Sequence, residues 1–383
     1  MHATGDRYDV VVVGVGGMGS ATTYHLAERG LDVLGLERYD VPHTRGSSHG
    51  ITRIIRRAYY EHPSYIPLID RAYELWDALA DETGREVLHR TGSIDAGPDG
   101  NVVFEGSLRS CEEYDIPHEV LTSEEVTERF PGYRLPAGHR ALYQPDGGFV
   151  VPEQSIIGHV EAAQAAGAEV RARERVSEWE PTADGGVRVE TDRGTYVAEN
   201  LVLAAGAWTH KFADALEGLA VPERQVLGWF QPDRPETFAP DNFPVWNLKV
   251  PEGRFYGLPI YDVPGFKIGK YHHRDEQVDP DDYETEPERE DERLLREVVE
   301  NYFPGAAGPT MRLATCMFTN SPDEHFILDT LPDHPQVAVG AGFSGHGFKF
   351  ASVIGEILAD LAVDGDTDHP IEMFRLERFD DRS

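Results

Sequence analysis

Tyr8-Asp9-Val10-Val11-Val12-Val13 runs directly into Gly14-Val15-Gly16-Gly17-Met18-Gly19. The valine run has no charge after Asp9, so it reads as a strand buried on both faces, as at the centre of a parallel sheet. Ser20 to Arg29, beyond the glycines, has helical composition. Gly14, Gly16 and Gly19 answer separate needs: a tight strand-to-helix turn, close approach of backbone to a pyrophosphate, and close packing of helix on strand. Gly17 completes the cofactor-binding set. The helix start then offers free N–H groups and the positive end of its dipole to the phosphates. Leu31 to Leu36 reads as a second strand. It ends in Glu37, about 20 residues past the glycines, where a carboxylate takes the ribose hydroxyls of a dinucleotide. The context predicts a dinucleotide site.

The chain has 383 residues, which suits two domains rather than one core. Hydrophobic residues make up 40% and aromatic residues 10%, enough for a globular protein. No apolar run approaches the roughly 20 residues needed to cross a bilayer, and Met1 to Arg7 lacks the apolar core of a secretory signal. Cys111 and Cys316 are the only cysteines, which argues against a disulfide scaffold. A soluble, cytoplasmic protein is expected. Asp and Glu number 68 against 35 Lys and Arg, a net charge of −33 that repels nucleic acid and anionic membranes. The acids are densest at Asp275 to Glu292 and read as a solubilising surface, one that a high-salt cytosol would favour through screening.

After Glu37 comes Pro42-His43-Thr44-Arg45-Gly46-Ser47-Ser48-His49-Gly50, too long for a simple connection. Ile51-Thr52-Arg53-Ile54-Ile55-Arg56-Arg57 follows. Arg53 and Arg56 are three apart and would share a face on a helix. Guanidiniums among isoleucines need an anionic partner if buried. Arg85 to Asp146 breaks into short strands and helices, Val151-Pro152 opens a helix that Gly167 stops, and short strands follow at Ala168 to Val176, Val187 to Thr191 and Thr195 to Val197. Leu201-Val202-Leu203-Ala204-Ala205-Gly206 is a second buried strand entering a glycine turn. Lys267, between Phe266 and Ile268, faces one side of a strand, and an inward lysine needs a task or a partner.

Gly46-Ser47-Ser48-His49-Gly50-Ile51-Thr52-Arg53-Ile54-Ile55-Arg56 resembles the motif after the second strand of monomeric sarcosine oxidases and N-methyltryptophan oxidases. The similarity continues in Tyr65-Ile66-Pro67-Leu68, Glu74-Leu75-Trp76, Gly265 to His273, Thr315-Cys316-Met317 and Phe343-Ser344-Gly345-His346-Gly347-Phe348-Lys349. By this resemblance Arg53 lies beside the flavin of an FAD cofactor and assists catalysis, His49 contacts the flavin, and Arg56 binds the substrate carboxylate together with Lys349. Tyr256 lines the substrate pocket. Lys267 promotes reaction with oxygen, because a cation favours electron transfer to O2. Cys316 carries the FAD through a thioether. Gly345 and Gly347 bring a glycine turn and helix N-terminus to the flavin. The relatives place a histidine four residues after the lysine. Strict counting reaches Tyr271, one inserted residue reaches His272, and His273 follows; His272 is taken as the active-site residue. Two departures stand out: Ser48 replaces a first histidine, and Phe318 replaces a tyrosine.

The resemblance implies an α/β fold: a Rossmann-like, three-layer FAD-binding domain (1–85, 150–215, 321–383) with an inserted antiparallel-sheet α+β substrate domain (86–149, 216–320). It implies oxidation of the C–N bond of an N-methyl amino acid, with O2 reduced to hydrogen peroxide. A flavin dehydrogenase of the same fold, passing electrons to another acceptor, is the alternative. A monomer is expected, with a small-molecule amine and O2 as partners, no nucleic acid, no membrane and no metal.

Overall fold

The computed structural model describes residues 6–382. Its first sheet has eight strands. Five run parallel in the spatial order Glu169–Arg171, Val33–Leu36, Asp6–Val13, Thr195–Leu203, His334–Ala341. The valine run explains why Asp6–Val13 sits at the centre. Val10 and Val12 enter a core shared with the helices Gly17–Glu28, Ile66–Thr83 and Ala351–Val363. Val11 and Val13 point to the other face, against Val187, Val189 and Leu376. That face is covered by an antiparallel meander, Val176–Pro181 and Val187–Thr191 joined to Thr195–Leu203, which makes the third layer. Ile327–Leu331 closes the sheet as a hairpin with His334–Ala341.

The second sheet also has eight strands, in the order Thr310–Asn320, Val221–Phe230, Phe266–Lys270, Gly253–Leu258, Val245–Val250, Ser93–Pro98, His139–Gln144, Glu119–Thr122. All pairs are antiparallel except Val245–Val250 with Ser93–Pro98. Leu295, Val298 and Val299 of the helix Arg289–Tyr302 pack into its aromatic core beside Trp246, Phe266 and Phe303. This is the mixed α/β architecture expected from the sequence.

Two local expectations are corrected. Thr195–Val197 and Leu201 onward form one continuous strand, Thr195–Leu203, whose first half pairs with the meander and whose second half enters the parallel core. Arg53–Ile55 is a strand and not a helical turn. Its adjacent β-branched side chains suit a pleated surface, and it pairs antiparallel with Gly148–Val150, which also pairs with Leu88–Arg90. Arg53 and Arg56 therefore do not share a helical face. Among the described residues, no helix is long and apolar enough to cross a membrane.

Candidate active site

The strand Asp6–Val13 ends at Gly14, whose φ of +92° is glycine territory. A Cβ on Gly19 would lie 1.7 Å from the Gly14 carbonyl oxygen, so the first turn of the helix can approach the strand only as glycine. The backbone at Gly16 faces open space, with nothing within 4 Å of where its Cβ would be. Next to it Glu37, 5% exposed, accepts from Val15 N (2.9 Å) and Tyr39 N (2.9 Å) and stands 3.4 Å from His43 Nε2. Burial pushes this carboxyl up, but bonds from His43, Tyr39 and Val15 outweigh it and hold the group below its usual range.

These groups form one end of a cavity of about 400 Å³. Its other end is walled by Arg53, Tyr256, Tyr271, Phe318 and Lys349, with Gly345 and Gly347 between. Gly345 has φ +77°, and a Cβ there would meet the Phe318 ring at 2.4 Å. An elongated cleft with bare glycine backbone at a helix start, a buried ribose-type carboxylate and an aromatic far end fits FAD. His49, expected at the flavin, is 2% exposed with neither ring nitrogen hydrogen-bonded, and it does not line the cavity, although Ser48 beside it does. Burial first, and Arg53 second, lower its pKa to about 3, so it stays neutral.

The cations differ in how they are held. Arg53 donates to the Ser47 carbonyl (2.8 Å) and the Thr52 carbonyl (3.0 Å) and faces the cavity. Lys267, 2% exposed, stands behind it. Its ammonium donates to the carbonyls of Gly50 and Thr52 (2.7 Å each) and to Thr52 Oγ1 (3.0 Å). Burial, then Arg53, depress its pKa. Lys349 lines the cavity and donates to the His346 carbonyl at 2.7 Å. Burial, then Arg56, lower its pKa to about 7.

Arg56 is 1% exposed and does not line the cavity. It donates to the Ala58 carbonyl and to both oxygens of Glu61, and its Nε lies 3.8 Å from Asp95. The guanidinium carbon sits 4.0 Å from the Tyr60 ring centroid and 4.6 Å from that of Tyr59; Lys349 Nζ is 5.4 Å from the Tyr59 centroid. The two cations thus flank Tyr59, with Glu61 already answering Arg56.

Cys316 is 2% exposed, packed with Leu227, Trp229 and Tyr256, while its neighbours Met317 and Phe318 line the cavity. Burial raises the thiol pKa, against the pull of Arg53, Lys267 and Arg224.

Counting along the Phe266–Lys270 strand leads into a turn where the expected register does not hold. Tyr271 lines the cavity, its ring 5.1 Å from Tyr256 and 5.9 Å from Phe318, with Arg254 at 3.9 Å. His272 takes φ +51° and turns away to Glu223 (2.9 Å) and Glu324 (3.2 Å), which raise its pKa to about 9. His273 is fully buried against Asp291. Of the three, only Tyr271 reaches the cavity.

Sequence reasoning missed Asp281. It accepts from Trp208 Nε1 (2.9 Å), pairs with Arg38 (2.5 Å) and Lys211 (2.6 Å), and lines the cavity. It belongs to the acidic run read as solvated surface, and no local signal separates it from its neighbours. Ser48 was noted only as a departure; its hydroxyl accepts from Gly17 N at 3.2 Å.

The fold and the cleft define a flavin-type oxidoreductase. The family model described as FAD dependent oxidoreductase matches residues 9–361, and the chain belongs to that family. It is similar to the monomeric sarcosine oxidase of Streptomyces avermitilis, 42% identical over 96% of each chain. It also resembles the N-methyl-L-tryptophan oxidase of Yersinia pestis strain Pestoides F, 36% identical over 97% of this chain and 99% of the relative. Among solved structures, NikD, an unusual amino acid oxidase essential for nikkomycin biosynthesis, superposes with a TM-score of 0.83 at 30% identity over 97% of both chains. An L-proline dehydrogenase from P. horikoshii shares the fold, with a TM-score of 0.82 at 22% identity.

Proposed function

We propose that this enzyme oxidises the C–N bond of an N-methyl amino acid, of the sarcosine or N-methyltryptophan type, to an imine that water hydrolyses. O2 is reduced to hydrogen peroxide. The observation that carries the reading is the far end of the cavity: aromatic walls from Tyr256, Tyr271 and Phe318, one cation in the wall at Lys349, and a second at Arg56 beside it. An apolar pocket with buried positive charge selects a small anion that carries an apolar amine. The identities of 42% and 36% to named sarcosine and N-methyltryptophan oxidases support the same substrate class.

FAD, when bound, supplies the redox chemistry by taking the hydride equivalent from the amine and passing two electrons to O2. Gly14, Gly16, Gly17, Gly19, Glu37, His49, Gly345 and Gly347 would hold it, and Cys316 would anchor it covalently. Lys349, in the wall, would grip the substrate carboxylate, and Arg56 behind the wall would join it only by releasing Glu61; the aromatic rings exclude water and orient the N-methyl group. Arg53 places a guanidinium beside the reacting centre, and Lys267 serves the oxygen step. At the position after the Phe266–Lys270 strand the active-site role goes to Tyr271 in preference to His272, because Tyr271 lines the cavity. The FAD-binding unit would comprise 1–85, 150–215 and 321–383, and the substrate unit 86–149 and 216–320. The monomeric relatives support a monomer. A panel of secondary amino acids and simple amines, assayed for peroxide, tests the reading. Amine-dependent reduction of an artificial acceptor without peroxide would identify a dehydrogenase instead.

A further inference from the structure

Ile51 is a β-branched residue with φ +75°, and Gly50 before it has φ +93°. Thr52 N donates to the Gly50 carbonyl at 2.9 Å, which closes a three-residue turn around Ile51. A γ-turn with positive φ is rare and strained, and a branched side chain makes it worse. Such strain persists only where the surroundings over-determine it. Here the restraint comes from a distant element. Glu153, in the first turn of the helix Pro152–Ala165, accepts through one oxygen, Oε1, from both Gly50 N (2.8 Å) and Ile51 N (3.0 Å). Its other oxygen, Oε2, is buried with no hydrogen-bond partner. Nothing else in its hydrogen bonding explains a carboxylate at that place.

The opposite side of the same turn carries the oxygens that hold Lys267. The Gly50 and Thr52 carbonyls and Thr52 Oγ1 accept its ammonium, and the Thr52 carbonyl also accepts from Arg53. We propose that Glu153 is the positioning residue for Lys267: by pinning the strained Gly50–Thr52 turn from outside the cavity, it aims the acceptors that fix the lysine ammonium beside the flavin site. The proposal rests on the oxygen-step role given to Lys267 above. Burial, then Arg53, depress the pKa of the ammonium, and Glu153 is the largest charge acting the other way. Sequence pattern could not reveal this link, since Glu153 reads as an ordinary first-turn helix acid.

Two measurements on purified protein test it. Stopped-flow on the holoenzyme separates the two half-reactions. Glu153→Leu should slow reoxidation by O2 about tenfold or more, as expected for misplacement by an ångström or so, with flavin reduction by saturating amine nearly unchanged. Glu153→Gln keeps an oxygen that accepts both N–H groups and should restore most of the reoxidation rate. Hydrogen exchange on the same holoenzyme, in the absence of amine, gives an independent readout. The Gly50 and Ile51 amides should exchange faster in Glu153→Leu and at the wild-type rate in Glu153→Gln. Unchanged exchange in Glu153→Leu, equal slowing of both half-reactions, or a Gln variant as defective as Leu would each overturn the proposal. Should Lys267→Met itself reoxidise normally, the reading of Lys267 fails, while the exchange data still decide whether Glu153 pins the turn.

Discussion

Arg56 Nη2 donates to both carboxylate oxygens of Glu61, at 3.1 and 2.8 Å; the two residues are only five apart, Arg56 fully buried and Glu61 partly so. The sequence shows a cationic clamp in need of an anion; the structure supplies one from within. A substrate carboxylate must therefore compete with Glu61 for the guanidinium. Removing one partner of a buried charge-assisted contact costs about 2–5 kcal/mol of binding. Arg56→Ala should raise the apparent KM for an N-methyl amino acid far more than for its methyl ester. Glu61→Gln should lower that KM and also lower the Tm, because it leaves Arg56 with Asp95, 3.8 Å from Nε, as its remaining acidic neighbour. Equal oxidation of acid and ester by the wild type would refute the clamp.

The charge of Lys349 should make anion binding pH-dependent. Burial and Arg56 lower its pKa to about 7, so it is cationic below that pH and neutral above it. The inhibition constant of a carboxylate with no amine, such as propionate, should be lowest below pH 7 and rise as pH increases through it. Lys349→Met should bind weakly at every pH. A flat profile in the wild type would show that the lysine does not hold the anion.

Covalent flavin at Cys316 predicts a yellow pellet when the wild type is precipitated with acid, and a yellow supernatant from Cys316→Ala. The buried thiol has a raised pKa, countered by Arg53 and Lys267. Variants lacking either cation should therefore attach the cofactor more slowly. Colour released from the wild type would rule out the thioether.

Lys267→Met removes the ammonium at little change in volume. Reduction of the flavin by amine should survive nearly intact and reoxidation by O2 should slow by orders of magnitude, followed in one stopped-flow instrument. Loss of both rates together would assign the lysine to structure alone.

Tyr271 and His272 make opposite predictions. Tyr271→Ala opens the cavity wall between Tyr256 and Phe318, so it should change the order of preference among N-methyl amino acids. His272→Ala removes a half-buried ion pair to the buried Glu223 and a more exposed one to Glu324, both away from the cavity, and should leave kcat/KM within about twofold. Its main effect should be a modest loss of stability below pH 9. There the protonated His272, with its pKa raised to about 9, stabilises the fold; that stability is complete below the ordinary histidine value and lost as pH rises through 9. A large catalytic defect in His272→Ala would reverse the assignment.

The central strand, the glycine turn, the following helix and Glu37 were legible in the sequence because each is specified within a few dozen residues. Valine alternation buries both faces, and glycine alone accepts the φ of Gly14 and the contact at Gly19. Lys267 and Lys349 stood out because a cation flanked by apolar neighbours is costly without a task. Tertiary structure decided what depended on distant partners. Arg53–Ile55 became a strand because Gly148–Val150 lies beside it. Asp281, still exposed, is drawn to the cavity rim because Arg38, Lys211 and Trp208 meet it there. Tyr271 took the cavity and His272 the outside because positive φ at His272 breaks the alternation of the preceding strand. Local pattern encodes periodicity and backbone preference. Which side chains meet is set by chain crossings between residues far apart in sequence, and neither spacing nor composition carries that information.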